Sequence, residues 1–220
     1  MRTKIRRLNL TLPALLALPL LFAGQLDHPG TGTRYQQGYG GDRWENPSAI
    51  LDTLGIGPGM VIGEVGAGTG YFTFLLSERV GETGKIYAND ISRSSLSTLR
   101  ARARRDELTN IEIIQGEETR TLFPSATMDM VIMVYVFHDF TEPLDMMEDI
   151  KLSLKPGAPV VLIDGDHDKI GERDRHFLTR EQVIERVEEA GYELVRIETW
   201  LPNDNIYVFM PITAGYNMYN

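Results

Sequence analysis

Val61-Ile62-Gly63-Glu64-Val65-Gly66-Ala67-Gly68-Thr69-Gly70-Tyr71-Phe72 runs from an apolar strand through a glycine-rich turn into an apolar helix start. Glycines at the end of a strand let the backbone turn sharply and approach a ligand with no Cβ in the way. The N–H groups of the helix that follows then face that ligand. Dinucleotide-binding folds space such glycines as Gly-x-Gly-x-x-Gly and seat a pyrophosphate on the helix start. Here the spacing is Gly-x-Gly-x-Gly, at Gly66, Gly68 and Gly70, and Glu64 stands two residues before the first. A carboxylate aimed at this turn repels a pyrophosphate and suits an ammonium group. Asp90 lies 26 residues after Glu64 and follows the next strand. An acid there accepts hydrogen bonds from ribose hydroxyls. The two acids together ask for a ligand with a ribose and a positive charge but no diphosphate.

Outward from this turn, strands and helices alternate, which predicts a mostly parallel sheet covered on both faces. A short helix over Pro47–Leu54 closes at Gly55. Strand 1 is Val61–Val65, and its helix covers Tyr71–Val80 and stops at Gly81. Strand 2 is Lys85–Asn89. Ser92 caps the next helix, in which Leu96, Leu99, Ala103 and Leu108 keep near-helical spacing. Strand 3 is Ile111–Gln115, and strand 4 is the apolar, β-branched run Met130–Val136. A helix over Glu142–Leu154 ends at Lys155-Pro156-Gly157. Strand 5 is Pro159–Ile163. Thr179-Arg180-Glu181-Gln182 fits a capping box, opening a helix that Gly191 closes. Strands 6 and 7, Glu193–Glu198 and Ile206–Met210, are joined through Pro202-Asn203-Asp204 and read as antiparallel neighbours.

With the motifs in this order, the chain resembles the class I S-adenosylmethionine-dependent methyltransferases. Val61–Phe72 is similar to their first motif, and Ile86-Tyr87-Ala88-Asn89-Asp90-Ile91 to their second. Asp129–Met133 resembles the fourth-strand motif, and Leu154–Ala158 the turn before strand 5. The resemblance covers residues 43–210. It implies a Rossmann-like α/β fold with seven strands in the order 3-2-1-4-5-7-6, strand 7 antiparallel, and S-adenosyl-L-methionine as cofactor. It also implies that Glu64 lies by the methionine end, Gly66, Ala67, Gly68 and Gly70 under the cofactor, and Asp90 with Ile91 at the ribose. An acid after strand 3 often faces the adenine in this family; Glu117 is the candidate and Glu118 its reserve. Tyr135 completes the expected cofactor contacts. A non-catalytic module binding the same nucleoside stays open as an alternative, since fold alone does not imply activity. The glycine spacing and Glu64 disfavour a nicotinamide-dependent oxidoreductase.

Methyl transfer from a sulfonium is an in-line displacement helped mainly by positioning, and a base is needed only when the acceptor must lose a proton. Open α/β sheets bind ligands beyond the carboxyl ends of their strands, where Tyr135-Val136-Phe137-His138-Asp139-Phe140 follows strand 4. An unperturbed imidazole has a pKa of about 6.5, so His138 is the candidate catalytic base, with Asp139 to orient its ring; a packed, structural histidine is the other reading. The chain lacks the Asn-Pro-Pro-Tyr sequence that the family's amino-methylating branch often carries at this position. After strand 5, Asp164-Gly165-Asp166-His167-Asp168-Lys169 has oxygen ligands suited to Mg²⁺ or Ca²⁺. A charged run is more often a solvated loop, so no metal is assigned. The segment up to His176 and Phe177 is expected to wall the acceptor pocket, and the aromatic stretches Tyr35–Trp44 and Tyr135–Phe140 to close it.

With 220 residues, 42% of them hydrophobic, the chain can bury one full core. A net charge of -9 argues against binding to nucleic acid or to anionic lipid surfaces and favours a small-molecule acceptor. Absence of cysteine excludes disulfides, zinc–thiolate sites and cysteine nucleophiles. Arg2, Lys4, Arg6 and Arg7 precede an apolar run from Leu8 to Phe22 and small residues at Ala23-Gly24, the pattern of a secretory signal peptide. Pro13 and Pro19 interrupt a run already shorter than the roughly 20 residues a membrane span needs. Residues 1–23 are therefore read as a signal peptide, or as an N-terminal anchor. Residues 24–42 are a Gly-rich linker or cofactor-covering arm, and 43–220 the methyltransferase domain. Export to the periplasm or outside follows from the first reading, and removal of four basic residues would take the net charge from -9 to -13.

Overall fold

The computed structural model describes Trp44, residues 46–171 and residues 176–212. The expected signal peptide and arm lie outside these residues, as does the Tyr35–Trp44 stretch apart from Trp44. No helix among the described residues is long and apolar enough to cross a membrane.

Seven strands form one sheet: β1 (Val61–Val65), β2 (Lys85–Asp90), β3 (Ile111–Gln115), β4 (Met130–Val134), β5 (Val160–Gly165), β6 (Tyr192–Glu198) and β7 (Asp204–Pro211). Their order is β3-β2-β1-β4-β5-β7-β6. β1 pairs in parallel with β2 and β4, and β2–β3 and β4–β5 are also parallel. β7 runs antiparallel between β5 and β6, as the short link before it predicts. The Rossmann-like topology expected from the resemblance is the one observed.

Side chains alternate across a strand, so a central strand must be apolar on both faces. β4 does this residue by residue. Ile132 joins the core formed with α1 (Pro47–Thr53), α2 (Tyr71–Val80) and α3 (Arg93–Arg105), while Val131 and Met133 join the opposite core with α4 (Pro143–Ser153) and α6 (Arg180–Glu189). The helix ends follow their cap chemistry. Ser92 accepts the Ser95 N–H at 3.3 Å, and Thr179 and Gln182 form the reciprocal capping box. α3 buries Leu96, Leu99 and Ala103, but it stops at Arg105, so Leu108 of the expected helical stripe lies beyond it.

Three boundaries differ at the carboxyl edge of the sheet. β4 ends at Val134 rather than Val136, because Tyr135 takes a left-handed φ of 54° and redirects the chain into a 3-10 turn at Phe137–Asp139. β5 continues through Asp164 and Gly165, which pair with Asn205 and Asp204 of a correspondingly longer β7. Asp166 then caps the short helix α5 (His167–Ile170). The run 164–169 is therefore not a solvated loop: Asp164 and Asp166 are buried, and Asp168 is exposed.

Leu99 is fully buried and packs against the inner side of Gly70. Leu99→Ala removes that support and leaves a cavity, which should cost about 2–5 kcal/mol of unfolding free energy in a urea titration. A loss under about 1 kcal/mol would show that α3 is not tied to the turn in this way.

Candidate active site

The glycine turn is held by what surrounds it. Gly66 and Gly70 have φ of 76° and 95°, a region that L side chains rarely adopt. A Cβ on Gly66 would sit 2.7 Å from Val136, and one on Gly70 would sit 2.7 Å from Phe74. The chain after β4 and the first turns of α2 therefore close directly on the backbone. The Ala67 N–H donates to the Asn89 carbonyl at 2.8 Å and the Gly68 N–H to the Asp90 carboxylate at 2.8 Å. The other Asp90 oxygen accepts the Ser92 N–H at 2.7 Å. Arg102 anchors the far side, donating to the Thr69 carbonyl at 2.8 Å. Beside Gly68, by contrast, a Cβ would meet nothing within 4 Å.

Two cavities open on either side of Gly66. One, of about 300 Å³, has Asp90, Ile91, Glu117, Glu118, Val136 and Phe140 in its wall. The other, of about 210 Å³, is walled by Trp44, Glu64, Ala67, Gly68, Tyr71 and Tyr135. Of the nine residues expected to touch cofactor, eight line one or both cavities. Gly70 is the exception and lies behind the turn against Phe74 and Leu99. Glu117 and its reserve Glu118 both border the same cavity as Asp90 and Ile91.

Glu64 is 2% exposed and accepts a 2.5 Å hydrogen bond from the Thr73 hydroxyl. Burial pushes its carboxyl up to about 7, Thr73 opposes that rise, and the negative charge of Asp90 adds to it. A buried carboxylate held this high has too little positive compensation around it. A cationic ligand in the adjoining cavity supplies that compensation. A ribose suits the opposite cavity, where Asp90 keeps acceptor capacity beyond its two backbone bonds and Ile91 presents an apolar, 58% exposed side chain. The residues fit a nucleoside carrying a positive charge.

Two groupings were not visible in the sequence. Trp44 is buried and donates from Nε1 to Asp204 at 2.7 Å. The Tyr135 hydroxyl donates to the second oxygen of the same carboxylate. The two rings lie 6.0 Å apart, held by an acid read as part of a linker. His138 is the other case. Its Nδ1 lies 2.7 and 2.8 Å from the two oxygens of Asp164. Asp164, rather than the expected Asp139, orients the ring; the Asp139 carboxylate is 3.7 Å from Nε2. The imidazole is 5% exposed, stands edge-on to the rings of His176 and Phe177, and lines neither cavity described above.

Residues 56–201 match the family described as "Methyltransferase domain", and the chain belongs to that family. A demethylmenaquinone methyltransferase of Lactococcus lactis is 32% identical over 126 residues, covering 57% of this chain and 49% of that protein. A ubiquinone/menaquinone biosynthesis C-methyltransferase of Escherichia fergusonii is 29% identical over 52% of this chain and 46% of its own length. The chain thus spans about half the length of the curated relatives it matches. Among solved structures, a SAM-dependent methyltransferase from Aquifex aeolicus superposes with a TM-score of 0.71 at 29% identity, covering 76% of this chain and 90% of that one.

Because Glu64 is raised above its ordinary value of 4.5, the folded protein holds this proton more tightly than the unfolded chain does. Its contribution to stability is complete below about pH 4.5 and is lost as pH rises to about 7. The ligand-free protein should lose roughly 3 kcal/mol of unfolding free energy from this group across that window. Glu64→Gln should flatten this part of the profile. A parent protein equally stable at about pH 5 and about pH 8 would contradict the burial argument.

Proposed function

We propose that this protein transfers a methyl group from S-adenosylmethionine to a small, ring-bearing acceptor. The observation that carries the reading is the pair of cavities meeting at Gly66, with an under-compensated carboxylate in one and a ribose-suited acid in the other. When bound, S-adenosylmethionine supplies an electrophilic methyl group on a sulfonium. Glu64 binds the cationic amino-acid end, Asp90 the ribose hydroxyls, and Ile91 with Glu117 or Glu118 the base. Gly66, Ala67 and Gly68 let backbone approach the ligand, and Gly70 shapes the turn from behind.

Trp44, Tyr71 and Tyr135 present aromatic rings around the charged end of the ligand. Such faces favour a cation over water and exclude solvent from the displacement. The aromatic wall also suits a flat acceptor, and the names of the two curated relatives, both quinone-pathway methyltransferases, support a phenol or quinol class. For such an acceptor, loss of a proton makes the ring or its oxygen nucleophilic. His138 borders neither cavity as the protein stands but packs with Phe177 against Tyr135. An acceptor that displaces this cover reaches its Nε2, with Asp164 holding Nδ1–H and stabilising the imidazolium that forms.

Calorimetry with S-adenosylhomocysteine should give micromolar binding, about 8 kcal/mol. Gly68→Val, which projects a branched side chain into open space beside the turn at a left-handed φ of 54°, should abolish it, and circular dichroism checks that the fold survives the local backbone strain. Parental affinity in that variant would sink the cofactor assignment. With labelled S-adenosylmethionine and a panel of quinols, His138→Ala should lower kcat about 10²–10⁴-fold and leave S-adenosylhomocysteine affinity within about twofold. Full turnover in the variant would leave positioning as the whole of catalysis.

A further inference from the structure

We propose that His138, Asp139 and His176 form a binding site for a single divalent transition-metal ion of the Zn²⁺ class. One ligand atom from each of the three residues lies within 4.8 Å of the others. The separations are 3.1 Å between Asp139 Oδ1 and His176 Nε2, and 3.7 Å between Asp139 Oδ2 and His138 Nε2. Ligands about 2.0–2.2 Å from a tetrahedral ion stand roughly 3.3 Å from one another. Two of the three separations are thus close to those of a loaded site, and rotation of the exposed Asp139 and His176 side chains would bring the three ligand atoms onto one ion.

A second observation concerns the proton on His138. Asp164, 2% exposed, engages Nδ1 of His138 with both carboxylate oxygens. That bond places the ring hydrogen on Nδ1 and turns the Nε2 lone pair toward Asp139 and His176. A carboxylate behind a histidine, fixing its tautomer and raising its basicity, is the usual outer support of a metal-bound imidazole. Its location matters as well. His138 and Asp139 belong to the 3-10 turn after β4, whereas His176 follows α5, so an ion would clip these two segments together. Asp139 also lines the larger cavity, which puts the open coordination positions within reach of a ligand there.

Ligand chemistry selects the metal. Two imidazoles and one carboxylate suit Zn²⁺, Fe²⁺, Co²⁺ or Ni²⁺, whereas Mg²⁺ and Ca²⁺ prefer all-oxygen sets. Asp139 and His176 have side chains 57% and 58% exposed, so an ion can enter without unfolding the site. Nε2 cannot hold an ion and accept a proton at once. Ion-bound and proton-accepting His138 are therefore alternative states, and occupancy of the site would switch between them.

The test is a titration of the tag-free, chelator-treated full chain with ZnCl₂ by calorimetry and with CoCl₂ by visible absorption. It reads binding without turnover, so its failure leaves the methyl-transfer reading standing. The expected result is one equivalent bound at micromolar concentration or tighter, with a Co²⁺ spectrum of low coordination number. His176→Ala and Asp139→Asn change exposed side chains and should each weaken binding by about 100-fold or more. Asp164→Asn should cost about 10–100-fold. His167→Ala, outside the cluster, should bind as the parent does. Absence of binding at micromolar metal, or equal affinity in the parent and both exposed-ligand variants, would overturn the site.

Discussion

Missing side chains at Gly66 and Gly70 allow three elements to close on one short turn. Val136, from the segment after β4, occupies the space where a Gly66 Cβ would be, and Phe74 with Leu99 occupies that of Gly70. An alanine at either position would meet carbon at 2.7 Å and carry an unfavourable φ as well. The turn is then tied sideways to β2 through Asn89 and Asp90. Both cavities exist because the backbone itself, rather than a side chain, forms the ridge between them.

Around that ridge the carboxyl edge of the sheet gathers acids, and their surroundings separate their tasks. Asp166 is fully buried and accepts from Asn205 at 2.7 Å and from Arg180 at 3.3 Å. Asp204 is compensated by Trp44 and Tyr135, and Asp164 by His138 and the Gly165 N–H. Glu64 is different. Thr73 supplies one neutral hydrogen bond, Asp90 adds a like charge, and the carboxyl rises to about 7. A buried group with a perturbed value, facing a cavity, marks a place built for something that arrives later. Asp204, by contrast, acts through Trp44 and Tyr135, which wall that cavity.

Strained backbone falls at the same edge. Tyr135 is a non-glycine residue at a left-handed φ, a conformation costing of order 1–3 kcal/mol that persists only where surroundings over-determine it. Here the Tyr135 hydroxyl is pinned by Asp204 and its ring packs against Trp44 and Phe177. The reward is geometric. The left-handed step ends β4 early, brings Val136 onto Gly66, and turns His138 back toward Asp164.

Local rules were enough for the sheet and for the turn. Apolar runs in β1, β4 and β5, Ser92 and Thr179 as caps, and glycines with Glu64 and Asp90 at their spacing all act over a few residues, so they are legible in order along the chain. The short link before β7 was legible for the same reason. Tertiary structure alone decided which acid serves which partner. Asp139 neighbours His138 in sequence, yet Asp164 holds the ring, because β4 and β5 lie side by side and β5 runs two residues past the end of β4, level with the turn that carries His138. The run 164–169 looked solvated because its partners Arg180 and Asn205 come from distant elements. Asp204 looked like linker because Trp44 lies 160 positions away. Hydrogen bonds and charge compensation depend on distance in space, and across a sheet whose order is not that of the chain, sequence spacing carries no information about it.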